Sequence, residues 1–138
     1  ARQQSELLGK EYESTPYAAL GSLLRARVEL EAGDAAAART WLELAIQKAP
    51  DPGISRVAAL RLARVLVSED DLSGAAAVIE KHDQGGSFSG DFDAIRGDIA
   101  AAQGKTGEAR DAYRRAIAGG AANPELLQLK LDNLPPAG

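Results

Sequence analysis

Glu31-Ala-Gly-Asp-Ala-Ala-Ala-Ala38, Ser68-Glu-Asp-Asp-Leu-Ser-Gly-Ala75 and Ala102-Gln-Gly-Lys-Thr-Gly-Glu-Ala109 can be laid on one another without a gap. Each reads as a tight turn between two helices, with an alanine five residues after the leading Gly33, Asp70 or Gly104. The turns lie 37 and 34 residues apart. Seven positions beyond the alanine stand Ala45, His82 and Ala116, and seven before the turn stand Ala26, Ala63 and Gly97. Small residues in these slots predict two antiparallel helices that approach closely, with larger side chains filling the seams.

Working outward, further breaks fall at Ser14-Thr15-Pro16, Pro50-Asp51-Pro52-Gly53, Gln84-Gly85-Gly86-Ser87 and Gly119-Gly120 through Asn123-Pro124. Between the breaks, apolar residues recur at three- and four-residue spacing, as amphipathic helices require. Leu20, Leu24 and Val28 make one row; Leu62 and Leu66 make another, with Leu60 and Val67 beside it. No segment alternates apolar and polar residues for long. Asp34 is placed to cap the helix that starts at Ala35, and Asn123 before Pro124 and Glu125 is a helix start. Gly119-Gly120 ends the preceding helix. The pattern predicts an all-α chain of about eight helices with short connections.

Composition agrees. Alanine and leucine, both strong helix formers, account for 45 of the 138 residues. There is no cysteine and one histidine, which excludes disulfides, a thiolate nucleophile and Cys-based or His-rich metal sites. The net charge of −4 is spread along the chain, against the concentrated basic face of a nucleic-acid binder. No stretch approaches the roughly 20 apolar residues that span a bilayer, and no signal-peptide pattern opens the chain.

The period and its small-residue slots resemble the tetratricopeptide repeat (TPR), a helix–turn–helix unit of about 34 residues. Three units are expected over residues 17–50, 54–83 and 88–121 of a single TPR-like domain spanning residues 1–138. Residues 1–13 read as the second helix of a preceding truncated unit, and residues 124–134 as a C-terminal capping helix. Repeats of this kind stack into an α-solenoid with the first helices lining its concave side.

Two segments narrow the resemblance. Ile95-Arg-Gly-Asp-Ile-Ala-Ala-Ala-Gln-Gly104 and Leu126-Leu-Gln-Leu-Lys-Leu-Asp-Asn-Leu134 resemble stretches of the YfgM-like family of ancillary SecYEG translocon subunits, and Thr15-Pro-Tyr-Ala-Ala-Leu20 and Val28-Glu-Leu-Glu-Ala-Gly-Asp34 fit at the same distances. The resemblance implies a non-enzymatic periplasmic module, held on the inner membrane by an N-terminal anchor that would precede Ala1. It also implies protein partners, the SecYEG translocon and a PpiD-like chaperone, and no cofactor. A generic TPR scaffold of another bacterial envelope assembly is the alternative.

Several motifs imitate chemistry. Gly104-Lys105-Thr106 ends like a phosphate-binding loop, but Ile99 stands where its first glycine belongs and a helix precedes it. Arg96-Gly97-Asp98 spells an integrin tripeptide inside a predicted helix. Asp91, Asp93 and Asp98 lack the alternate spacing of a calcium loop. His82 has no catalytic partner and sits at a helix end whose dipole favours its protonation. Trp41 is expected to pack partly against the N-terminal helix.

On the repeat's template the groove positions are the second, fifth, ninth and twelfth of each first helix. These are Leu20, Leu23, Arg27 and Leu30; Val57, Leu60, Arg64 and Val67; and Asp91, Ala94, Asp98 and Ala101. The candidate groove residues are thus Arg27, Leu30, Val57, Leu60, Arg64, Val67, Asp98 and Ala101. Aliphatic rows with a central arginine suit a peptide that carries apolar side chains and a carboxylate. Leu20 and Leu23 can equally pack beneath the preceding unit. In the last helix Leu127, Leu131 and Leu134 should cover the repeat's end, with Lys130 and Asp132 facing away.

Overall fold

A computed structural model describes residues 17–136, and every regular element among them is an α-helix. They are α1 (Ala18–Glu31), α2 (Ala35–Lys48), α3 (Pro52–Ser68), α4 (Leu72–His82), α5 (Ser89–Ala102), α6 (Thr106–Ala118) and α7 (Pro124–Asp132). The helix expected over residues 1–13 lies outside the described residues. By its contacts the chain divides into two compact units, Ala1–Glu69 and Asp70–Gly138. The division falls in the turn between α3 and α4, inside the middle repeat expected from the sequence.

The repeated turns share a backbone device. Gly33, Asp70 and Gly104 all take positive φ, at +83°, +63° and +75°. After Gly33 the Asp34 N–H donates to the Glu29 carbonyl at 2.8 Å, and after Gly104 the Lys105 N–H donates to Ala100 at 2.9 Å. This closure satisfies carbonyls that a helix end leaves free. Asp70 occupies the same slot with a Cβ that glycine lacks, and aspartate tolerates the left-handed region at some cost. Asp70→Gly is therefore expected to raise stability by about 0.5–1 kcal/mol. Thermal unfolding of the two proteins would show it, and a lowered midpoint would mean the aspartate contributes something the turn geometry does not reveal.

Caps start the helices. Asp34, Asp51 and Asp71 each accept through the side chain from the N–H three residues on, at 3.0 Å. Asn123 departs from expectation, because its side chain makes no cap. It takes a left-handed φ of +54° instead, and its carbonyl accepts from the N–H groups of Leu126 and Leu127. The tight connection from Gly120 leaves the chain needing a left-handed residue there more than a side-chain acceptor.

The small slots are where the helices meet. In the first unit α2 packs against both α1 and α3, and Ala38 and Ala45 of α2 are completely buried. Leu42 fills the layer between them. Arg25 and Glu29, one turn apart on α1, form a buried pair at 2.9 Å. The Arg25 guanidinium lies 5.5 Å from the centre of the half-buried Trp41 ring, so this tryptophan is held in part by a cation. Its expected contact with residues 1–13 falls outside the described residues.

In the second unit α6 packs on α5 and carries α7 on its other side, while α4 touches α5. Tyr113, Ala109 and Ala116 of α6 form a core with Ala100, Ala121 and Leu127, and Leu131 and Leu134 pack against its edge. The closest approach is at Gly97, where a Cβ would lie 2.5 Å from the Tyr113 ring.

Candidate peptide-binding groove

The first unit contains a groove of about 430 Å³ between α1 and α3, floored by α2. Helix α1 contributes Leu23, Ala26, Arg27 and Leu30, α2 contributes Leu42, and α3 contributes Arg61, Arg64, Val65 and Ser68. Leu23, Ala26, Leu42 and Val65 are buried and make an apolar floor, whereas Leu30 is 43 % exposed on the rim. Three guanidinium groups stand around that floor. Arg27 makes an exposed pair with Glu31 at 3.3 Å. Arg61 and Arg64 are exposed, and no carboxylate pairs with either among the described residues. An apolar slot edged by guanidinium groups can bind an apolar segment and orient it through a carboxylate, since arginine offers planar paired donors.

Three residues singled out from the sequence, Arg27, Leu30 and Arg64, come together here. Three do not. Leu60 is buried at 6 % exposure, and Val57 and Val67 are half-buried away from the groove lining. The reason is geometric. The repeat template assigns one face to every first helix, but a groove between two neighbouring helices uses their facing flanks. On α1 the template face and the facing flank coincide. On α3 the flank is turned by one residue, which brings in Arg61, Val65 and Ser68. Arg61 is the residue the template missed, and its spacing of three from Arg64 on one flank was the available signal.

The face of α5 chosen by the same template is committed to other work. Asp91 accepts from the Ala122 N–H at 2.9 Å, and Ala94 packs against the core. Asp98 accepts from the Tyr113 hydroxyl at 2.6 Å and from the Lys130 ammonium at 3.0 Å. Ala101 is exposed and lines none of these contacts. Lys130 thus points inward, contrary to expectation, with its charge also 5.9 Å from the Tyr113 ring centre. Burial, then the hydrogen bond to Asp98 and its negative charge, push the Tyr113 phenol far above its usual range. It stays a neutral donor.

The motifs that imitate chemistry dissolve into the fold. Gly104-Lys105-Thr106 is the α5–α6 turn. Arg96-Gly97-Asp98 lies within α5, with Arg96 bonded to Asp83 at 2.7 Å and to Asp93 at 3.1 Å. The three aspartates of the imagined calcium loop each serve a different partner, Asp93 also facing Arg115 at 3.5 Å. His82, at the end of α4, has its pKa lowered by burial and then by Lys81, opposite in direction to the protonation expected at that helix end.

Asp83 holds the loop into α5. Burial raises its pKa, but hydrogen bonds from the Ser89 hydroxyl, Arg96 and the Gly85 N–H, with the Arg96 charge, bring it below the usual 3.8. A carboxylate depressed in the folded state stabilises it above the unfolded pKa, and that contribution is lost as pH falls through the folded value. Asp83→Asn should therefore destabilise by about 0.5–1.5 kcal/mol at neutral pH, where a charged acceptor is removed from part-buried and exposed donors. The gap from the parent should shrink as pH falls below 3.8. Denaturation at several pH values would reveal it; a gap that is constant with pH would sink the charge argument.

Residues 1–136 match the model of the tetratricopeptide repeat-like domain, and the chain belongs to that family. Its helix hairpins, close-approach slots and groove between first helices are what such repeats build. The chain is also similar to the ancillary SecYEG translocon subunit of Aggregatibacter actinomycetemcomitans, at 32 % identity over 126 residues. The alignment covers 91 % of this chain and 61 % of that relative, so the chain spans about three fifths of its length. No solved structure gives a significant match. Among the described residues no helix is long and apolar enough to cross a membrane.

Proposed function

We propose that this chain is the periplasmic part of an ancillary SecYEG translocon subunit, working as a non-enzymatic interaction module at the inner membrane. The likeness to the named translocon subunit across 91 % of the chain carries the reading. The groove edged by Arg27, Arg61 and Arg64 supports it physically, because it offers apolar burial and carboxylate recognition without reactive groups. In this reading the domain bridges the translocon and a membrane-anchored periplasmic chaperone of the PpiD kind. An anchor preceding Ala1 would hold it there. The groove takes an apolar segment with an acidic side chain, and its recognition residues are Arg27, Leu30, Arg61 and Arg64.

A photo-crosslinking residue placed at exposed Leu30, in the full-length protein in its native envelope, tests this. The expected products join the protein to translocon subunits or to a periplasmic chaperone. Products with other envelope proteins alone would overturn the translocon assignment and favour a scaffold of another assembly.

A further inference from the structure

The groove wants a short apolar element bearing carboxylates, and the chain itself displays one. Helix α7 turns Leu127, Leu131 and Lys130 toward its own unit, and Leu134 just beyond its end packs there too. That leaves Leu126 at 47 % and Leu129 at 56 % exposure, large for apolar side chains on so short a helix. Glu125 and Asp132 are exposed beside them. Glu125, Leu129 and Asp132 follow i, i+4, i+7 spacing, so they share one face of the helix. Lys130 is drawn down onto Asp98, while Asp132 accepts from the Gln128 amide at 2.9 Å and borders a pocket with Arg110 and Arg114 of α6. The outward surface of α7 is therefore two leucines beside Glu125, with Asp132 at its edge.

The groove in the first unit has the opposite character, an apolar floor with three arginines. Its dimensions agree as well. Leu23 to Leu30 on α1 and Arg61 to Ser68 on α3 each run about 10 Å at the helical rise, and the nine residues of α7 run about 13 Å.

We infer that α7 of one copy docks into the α1–α3 groove of a second copy, Leu126 and Leu129 over the floor and Glu125 and Asp132 against Arg27, Arg61 and Arg64. The inference rests on the reading of this groove as a docking site. The contact is heterologous, one surface on each copy being different, so it leaves a free groove at one end and a free α7 at the other. Association then grows with concentration and is weakened by salt, because its charges lie on an exposed rim. It also competes with any partner that enters the groove, so self-association withholds the site until a stronger acidic, apolar segment displaces α7.

Sedimentation velocity over a concentration series tests this with the chain as it stands. The weight-average mass should rise with concentration, and the rise should diminish between about 0.05 M and about 0.5 M salt. Arg61→Glu with Arg64→Glu should weaken the association at least tenfold, as should Glu125→Lys with Asp132→Lys. Mixing the two doubly substituted proteins should restore it, since the reversed groove then meets the reversed helix. Leu126→Ser with Leu129→Ser separates apolar docking from charge alone and should also abolish it. Circular dichroism confirms that each variant keeps its helices. A protein that is monomeric at all concentrations overturns the inference, and so does an association unmoved by both charge reversals. In either case, binding of an acidic apolar peptide by the parent, lost in Arg61→Glu with Arg64→Glu, would leave the docking site standing. Absence of peptide binding would remove that reading separately.

Discussion

Gly97→Ala should destabilise the second unit by about 2–4 kcal/mol, although alanine is the better helix former. Propensity alone favours alanine in a helix interior by about 1 kcal/mol. Against it stands the Tyr113 ring, whose Cδ1 and Cε1 would lie 2.5 Å from the new Cβ. The ring is 3 % exposed and tied by its hydroxyl to Asp98, so it has little room to retreat. Overpacking a core costs about 1–3 kcal/mol, and displacing the phenol from its carboxylate adds a hydrogen bond of about 1.5–3 kcal/mol. The sum exceeds the propensity gain. Chemical denaturation of the single variant, of Tyr113→Leu, and of the double variant forms a cycle that isolates the clash. If the ring is the cause, alanine should be better tolerated beside leucine. A stabilising Gly97→Ala would mean that α5 and α6 separate easily and that the small slot is not under pressure.

The second large effect concerns binding. Arg61→Glu with Arg64→Glu should weaken capture of an acidic, apolar peptide by about 10- to 100-fold, and helicity should be unchanged. Both side chains are exposed and neither has a carboxylate partner among the described residues, so reversal breaks no internal pair there. At the groove it replaces two charge-assisted contacts by two repulsions. Fluorescence anisotropy with a labelled peptide, alongside circular dichroism, reads both quantities. A variant that binds as well as the parent would move the contact elsewhere on the protein.

Much of the fold was legible because it is repetitive and local. The turn slots Gly33, Asp70 and Gly104 and the small residues Ala26, Ala63 and Gly97 state their roles by spacing alone. Asp34 announces a helix start in the same way. The groove was legible along α1, where Leu23, Arg27 and Leu30 fall on one row, and on α3 only at Arg64. On α3 the choice between Leu60 and Arg61 depends on a rotation of one residue, which no intrinsic periodicity of a helix specifies. Asp98 and Lys130 were misread for a related reason. Their pairing joins residues 32 apart in sequence, and an exposed-looking charge on each helix gives no sign of its distant partner.

In the proposed function, the commitment of Asp98 to Tyr113 and Lys130 would limit how the protein discriminates among clients. Asp91, Ala94 and Asp98 are occupied within their own unit, so the proposed reading surface would be the groove of the first unit, about two helical turns of α1 and α3. So short a reader would recognise few side chains and would therefore bind permissively and weakly on its own. In the tethered arrangement proposed above, selectivity would come from confinement. A membrane anchor raises the local concentration of a client emerging beside it, converting a weak contact into useful occupancy. Release by the same groove would stay fast, so a passing chain would be held briefly and handed on.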